Sequence, residues 1–254
     1  MSGVQKPVAA GRFASARDRT TGRAVGAREA SAQATRDSLL RAAIKVFARH
    51  GYDGGSVEKI SKAAKSVDRM IYYYFGNKEG LFVAVLEEIY RRFNEAEARL
   101  SLDPSDPVAS LEAMIRFVIR YYRAHPEFVS LLNSENLHRG KHIGKSLRAR
   151  DYSSPAVGTT AGVLQAGIDR GLFRHDVAAR DLYLLVAAAG YFHQSNRYTL
   201  SCFLGEDLGS DEAVAHWERF VIDMVLRGVL LPTQRGPAQH GSAARRPTAL
   251  SKRD

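Results

Sequence analysis

The chain has 254 residues, 45% hydrophobic and 25% charged, with a formal net charge of +10. These proportions exclude a wholly disordered or collagen-like chain and allow one or two domains with a sizeable core. The single cysteine, Cys202, excludes an internal disulfide framework and fits a reducing cytoplasm; it is expected to be a small buried apolar residue.

Residues 1–34 hold six Lys or Arg against two acids and show no apolar period, so a disordered basic tail is expected. Val8-Ala9-Ala10 is too short for the apolar region of a secretory signal. Thr35 then reads as an N-cap with Asp37 in the first turn, and Leu40, Ala43, Ile44 and Phe47 follow at helical spacing up to Gly51. Ser56 caps a short helix whose Val57, Ile60 and Ala64 share a face. Lys65-Ser66-Val67 forms a turn into a third helix, Asp68 to Tyr74, and Asn77 caps a fourth through Leu81, Val85, Ile89 and Phe93. Further helices are expected at about 107–124, 126–138, 143–170 with a break near Ser153-Ser154-Pro155, 178–200 and 211–230. No strand of period two stands out, and no apolar run is long enough for a bilayer, the longest being Leu182 to Phe192. From Pro232 a second tail runs to 254 with five basic residues and one acid; it too is expected to be disordered. The fold class is all-α.

Charge divides the folded part. Residues 35–79 carry nine basic and five acidic groups, whereas 80–231 carry 17 and 19. A small basic module beside a nearly neutral large one suits a polyanion partner. Within the small module, 56–75 (SVEKISKAAKSVDRMIYYYF) has the layout of a helix-turn-helix, whose second helix enters the DNA major groove.

Residues 35–93 resemble the DNA-binding domain of the TetR/AcrR family of bacterial transcriptional regulators. The resemblance rests on Ala42, Ala43, Phe47 and Gly51 of the first helix, on Ile60 to Ala64, and above all on Ile71-Tyr72-Tyr73-Tyr74-Phe75-Gly76-Asn77-Lys78-Glu79-Gly80-Leu81-Phe82. Two places depart from the family pattern. Lys65-Ser66-Val67 stands where Gly-Val-Ser is usual, and Asp68, Arg69 and Met70 replace small residues early in the third helix. Arg69 is placed to read a base edge, with a guanine as the natural partner; a phosphate contact or a pairing with Asp68 is the alternative. Asp68 would accept from a cytosine amino group or, in the plainer reading, cap its helix and orient Arg69. The resemblance implies phosphate contacts from Tyr72 and Tyr73, with Tyr74 left for the core. Ser56, Lys65 and Lys78 are further phosphate candidates, Ser56 and Lys78 at helix N-termini.

Residues 94–231 resemble the family's ligand-binding and dimerisation domain, chiefly through Gly171-Leu172-Phe173-Arg174-His175-Asp176-Val177 and the closing pair of helices. Helix 178–200 is apolar on one side through Leu182, Leu185, Val186, Ala189 and Phe192, and on the other through Leu184, Ala187, Ala188 and Tyr191. A helix apolar all round must be covered all round, so a homodimer is expected, completed by Trp217, Phe220, Val221, Met224 and Val225 of helix 211–230. The stretch Tyr191 to Leu200 resembles a subgroup regulating pyrimidine and nicotinate-type catabolism. Its His193 and Asn196, with Tyr121, Tyr122, Asn133, Asn136 and Tyr191, are candidates to bind an unidentified small-molecule effector, although the polar pair would equally satisfy each other across a dimer.

His138 and His142, four apart, lack a nearby third ligand in sequence, so no metal site and no cofactor are expected. An enzyme using His125, His138 or His193 as base would need a nucleophile and an orienting group that the sequence does not bring near. The expectation is therefore a cytoplasmic, homodimeric, ligand-released repressor binding double-stranded DNA at a palindromic operator, with no membrane partner. The alternative is a ligand-sensing or interaction protein that binds DNA without sequence preference.

Overall fold

In the computed structural model the described backbone covers residues 16–232, and side chains are described there except for 16–27, 150 and 152–154. Among the described residues nine α-helices follow one another: α1 (Ala16–Gly54), α2 (Val57–Ala63), α3 (Asp68–Phe75), α4 (Lys78–Glu97), α5 (Pro107–Ala124), α6 (Pro126–Leu137), α7 (Ala149–Asp169), α8 (Ala179–Leu204) and α9 (Asp211–Val229). A 3-10 turn, Ile143–Lys145, precedes α7. The chain is all-α; among the described residues the only extended pairing is an isolated bridge between Phe173 and Leu230.

Several boundaries lie where side-chain chemistry predicts them. Ser56 accepts from the Lys59 N–H at 3.2 Å, Asn77 from Gly80 at 2.8 Å, Asp106 from Ala109 at 3.0 Å and Ser210 from Ala213 at 3.1 Å. Each satisfies an amide that a helix start leaves without a partner.

Three expectations fail. Thr35 is not an N-cap: its hydroxyl donates to the Ser31 carbonyl one turn back, inside a helix already running from Ala16. Residues 16–34 are therefore helical, not the disordered tail expected, because the Ala-rich composition that lacks an apolar period still favours helix. Residues 1–15 and 233–254, the rest of the two expected tails, lie outside the described residues. The expected break in 143–170 is also absent, since α7 carries Pro155 inside it.

The first three helices and the start of α4 share a core in which Leu39, Ala43, Phe47, Ile60, Ile71, Leu81 and Phe82 are fully buried. Phe82 meets the Phe47 ring edge-on at 5.0 Å. Gly51 sits at φ 67°, a left-handed kink that lets α1 take one more turn at a new angle. A Cβ on Gly80 would lie 2.2 Å from the Phe75 carbonyl oxygen, so glycine is what lets α4 start directly against the end of α3. Helix α4 then runs unbroken past residue 93, the expected domain boundary, into the second module. There α5, α7 and α8 pack on one another, with Leu111, Ile115, Leu164, Phe173, Leu182 and Val186 buried. Glu218 of α9 is buried and receives Arg116 at 3.0 Å and Arg120 at 2.7 Å from α5.

The missing turn glycine has a structural answer. Lys65 itself takes the left-handed conformation, at φ 53°. A residue with a Cβ costs about 1–2 kcal/mol there, and glycine's greater unfolded-state entropy returns part of any relief. Lys65→Gly is therefore expected to raise unfolding stability by about 0.5–1 kcal/mol, read from urea melts.

Candidate nucleic-acid interface and effector pocket

Helices α2 and α3 are locked by a side-chain contact across their turn. The Ser61 hydroxyl donates to the Asp68 carboxylate and also lies 3.1 Å from the Glu58 carbonyl. Asp68 is thus engaged within the motif, in the first turn of α3, where its charge also suits the helix dipole. The bond joins α2 to α3; the start of α3 has Val67 at its N-cap position and no side-chain cap bond. With Ile71 fully buried beneath, Arg69, Tyr72 and Tyr73 are exposed, the tyrosines at 53% and 75%. Tyr74 is half-buried and packs against the core. Lys65 in the turn is exposed. Ser56 uses its hydroxyl oxygen as a cap.

Lys78 is placed differently from expectation. Its ammonium lies 4.5 Å above the Tyr52 ring and donates to the Asp53 carbonyl at 3.3 Å. It ties the start of α4 to the end of α1, so a phosphate contact would require it to leave that seat.

The same corner carries the junction between modules. The Tyr52 N–H donates to Ser134 Oγ at 3.1 Å, His138 Nε2 lies 3.2 Å from Asp53 Oδ2, and Lys145 pairs with Glu79 at 2.7 Å. That salt bridge holds the Glu79 carboxyl below its ordinary range. His142 is completely buried, its ring 4.1 Å from Tyr52 and 5.0 Å from Phe82. Glu135, buried in α6, holds it: Oε2 is 2.7 Å from Nδ1, and Oε1 accepts from the backbone N–H groups of His142 and Ile143 at 2.8 and 2.9 Å. The two histidines thus face different carboxylates.

Behind α6 lies a cavity of about 310 Å³ between α4, α5, α6 and α8. Tyr90, Phe93, Tyr122, Phe128, Tyr183 and Tyr191 wall it, and Asn94 and Asn136 are its amides. Of the seven effector candidates it gathers three: Tyr122, Asn136 and Tyr191. Asn133 is adjacent, its carbonyl accepting from the Tyr191 hydroxyl and from Ser195 Oγ at 3.1 Å. Tyr121 does not line it; its ring packs edge-on against Phe93 at 4.9 Å and beside His125 at 4.2 Å. His193 and Asn196 are also elsewhere on α8. His193 stacks on Trp217 at 5.3 Å, lining a larger cavity of about 660 Å³ between the ends of α8 and α9, and Asn196 donates to its own helix at the Phe192 carbonyl. The spacing along α8 misleads because His193 lies on the face of α8 that meets α9, while Ser195 on another face still reaches Asn133 of α6.

Helix α8 also divides its faces differently from the expected pattern. Leu182, Val186, Gly190 and His193 are buried, while Leu184, Leu185, Ala188 and Phe192 are exposed. Phe220 and Met224 of α9 and Phe203 and Leu204 at the end of α8 are exposed as well. Cys202 shares that exposure, contrary to the buried position expected, because the last turns of α8 run past the helices that cover its middle.

One buried polar group escapes the sequence pattern. Glu97, one turn beyond Asn94 on α4, is buried without an ion pair among the described residues, and its charge acts on Tyr122 and Tyr183. Burial pushes its carboxyl up to about 7. A carboxyl raised in the folded state keeps its proton where the unfolded chain has lost it. Stability therefore falls as pH rises from the unfolded value through about 7. Glu97→Gln is expected to add about 2 kcal/mol of stability at pH 8 and almost nothing at pH 4, measured by paired denaturant melts.

Comparison with known proteins adds an independent line. Residues 39–85 match the model for bacterial regulatory proteins of the tetR family, and residues 107–225 match the tetracyclin repressor-like C-terminal domain. The chain is 50% identical over 207 residues to the HTH-type transcriptional repressor NicS of Pseudomonas putida, covering 82% of this chain and 98% of that one. It is 30% identical over 161 residues to the HTH-type transcriptional repressor SCO4008 of Streptomyces coelicolor, covering 63% and 78%. In fold it is similar to a TetR transcription regulator from Haloarcula marismortui, with TM-score 0.60 and 16% identity over 78% of this chain and 98% of that one. The fatty acid degradation regulator FadR of Bacillus halodurans matches at TM-score 0.56 and 20% identity, over 76% and 98%. From its helix-turn-helix to its closing helices, the chain belongs to the TetR family of bacterial regulatory proteins.

Proposed function

We propose that this protein is a cytoplasmic transcriptional repressor, not an enzyme, that binds a palindromic operator as a homodimer and is released by a small-molecule effector. The observation that carries the reading is the outward face of α3. Arg69, Tyr72 and Tyr73 stand exposed over a buried Ile71, on a helix held in register by the contact between Ser61 and Asp68. Arg69 reads a base edge. Tyr72, Tyr73, Lys65 and the N-terminus of α2 at Ser56 hold the phosphates on either side.

The exposed apolar side chains of α8 and α9 support the homodimer. Leu184, Leu185, Phe192, Phe220 and Met224 form a patch of the kind a soluble protein covers. A two-fold dimer reads a palindrome, and to reach half-sites one turn of duplex apart its two α3 helices must stand about 34–36 Å apart.

Helix α6 supports the release mechanism. Phe128, Leu132 and Asn136 face the effector cavity, while Ser134, Glu135 and His138 face α1 and the turn before α7. Helix α4 has the same double duty, with Tyr90, Phe93 and Asn94 at the cavity and Lys78 at Tyr52. An effector that fits the cavity better in one setting of these two helices shifts the spacing of the DNA-reading modules and lowers affinity. The cavity's aromatic walls and neutral amides suit a small planar ring with hydrogen-bonding edges.

The test is fluorescence-anisotropy binding to the DNA upstream of the protein's own gene against a scrambled duplex, followed by selection from random-sequence DNA. Preference for one palindrome is expected. Arg69→Ala should cost the operator about 5- to 150-fold and relax preference at one base pair per half-site. Tyr72→Ala should weaken all duplexes alike. Equal affinity for every sequence after selection would overturn the repressor reading in favour of a sensor that binds DNA without sequence preference. Leu185→Arg with Phe220→Arg is expected to yield monomers in sedimentation and to lose the operator while keeping helical content.

A further inference from the structure

We propose that the cavity between α4, α5, α6 and α8 selects a small organic cation, a compact ring or head group with a positively charged nitrogen, and that Glu97 sets this preference through its charge. The proposal rests on the effector reading given above and deepens it by naming the charge of the ligand.

The wall of the cavity favours a cation. Tyr90, Phe93, Tyr122, Phe128, Tyr183 and Tyr191 enclose about 310 Å³, and no residue lining it is charged. The negative faces of aromatic rings attract a cation, and the attraction grows as the cation leaves water. An anion entering the same space meets no Lys, Arg or His on the wall to replace its hydration.

The charges beside the wall have the matching sign. Glu97 follows Phe93 by four residues and Asn94 by three on α4, so it continues the face that borders the cavity, although it is not itself part of the wall. It is 6% exposed, and among the described residues no ion pair or hydrogen bond holds its carboxyl. Its charge acts on two wall hydroxyls, Tyr122 of α5 and Tyr183 of α8. A second buried carboxylate, Glu135 of α6, acts on the Tyr90 hydroxyl. No cation is among the groups acting on these three tyrosines, whereas Tyr121, which does not line the cavity, is reached by Arg92. The potential inside the cavity is therefore negative. Glu135 already has His142 and two backbone amides as partners. Glu97 has none, so a bound cation supplies its missing counter-charge.

The same arrangement ties the ligand to pH. A cation favours the ionised form of Glu97, so its affinity rises as pH rises through about 7, where the carboxyl loses its proton. No charged group of α5, α7 or α8 adds to the burial that raises this carboxyl, and Tyr122 and Tyr183, themselves raised, keep their protons throughout that range.

The experiment titrates full-length wild type and Glu97→Gln calorimetrically with three probes of similar size: N-methylpyridinium, toluene and benzoate, each at pH 6 and pH 8. Wild type is expected to prefer N-methylpyridinium at pH 8 and to bind it about 10-fold more weakly at pH 6. Glu97→Gln keeps the bulk of the side chain, so it should fold and bind toluene as wild type does. It should bind N-methylpyridinium weakly and equally at both pH values. Wild-type preference for toluene or benzoate, or no binding of any probe at millimolar concentration, would overturn the cation site. Wild-type pH dependence in Glu97→Gln would overturn the role of Glu97. The cation-loaded protein is then tested on the selected palindrome by anisotropy. Tight binding of N-methylpyridinium that leaves operator affinity unchanged would support the cation site and overturn the effector reading instead.

Discussion

The buried carboxylate of Glu135 is the contact on which the two modules depend for a fixed relation. It lies in α6 at 4% exposure and gathers the His142 ring and two backbone amides. That arrangement presses the ring into the aromatic group formed by Tyr52, Phe82 and His138, which belongs in part to each module. A carboxylate this deep is costly unless its acceptor sites are filled, so the turn after α6 has little freedom to drift from it. Around it the weaker contacts, Tyr52 to Ser134, Lys145 to Glu79 and Lys78 over Tyr52, add direction and not depth.

Much of this architecture is legible from local chemistry. Ser56, Asn77 and the turn residues mark helix ends because the preference is set within four residues, and the apolar spacing of α5 reports a single buried stripe. The reading face of α3 follows from Ile71 pointing inward. What escapes depends on where helices cross. Tyr121 and Tyr122 are neighbours, yet only the second reaches the cavity between α4, α5, α6 and α8, because α5 turns by about 100° per residue. His193 shares α8 with Tyr191 but meets α9, not α6. Glu97 reads as one more solvent-facing acid on a charged helix until α5 and α8 close over it. The sequence pattern starts α1 at Thr35 because a capping residue type reads as a boundary, whereas the alanine-rich segment before it simply continues the helix.

The two cavities differ in what they touch. The larger, near His193 and Trp217, is bordered by the exposed apolar residues Phe192 and Leu204, so whatever covers that face also closes it. The smaller is bordered by α4 and α6, the two helices that reach the DNA-reading module. Volume favours the first and connectivity the second, and the proposed release mechanism needs the connectivity.

The uninterrupted course of α4 has a mechanical consequence. Twelve residues separate Lys78, seated on Tyr52, from Tyr90 at the cavity wall, a continuous helical shaft of about 18 Å whose one glycine, Gly80, lies in its first turn. A rotation of about 6° around the cavity end sweeps the other end through about 2 Å. The stiffness of one helix thus sets a gain: under the proposed mechanism, a fraction of an ångström at the wall formed by Phe93 and Phe128 becomes a displacement large enough to break a hydrogen bond at the far end.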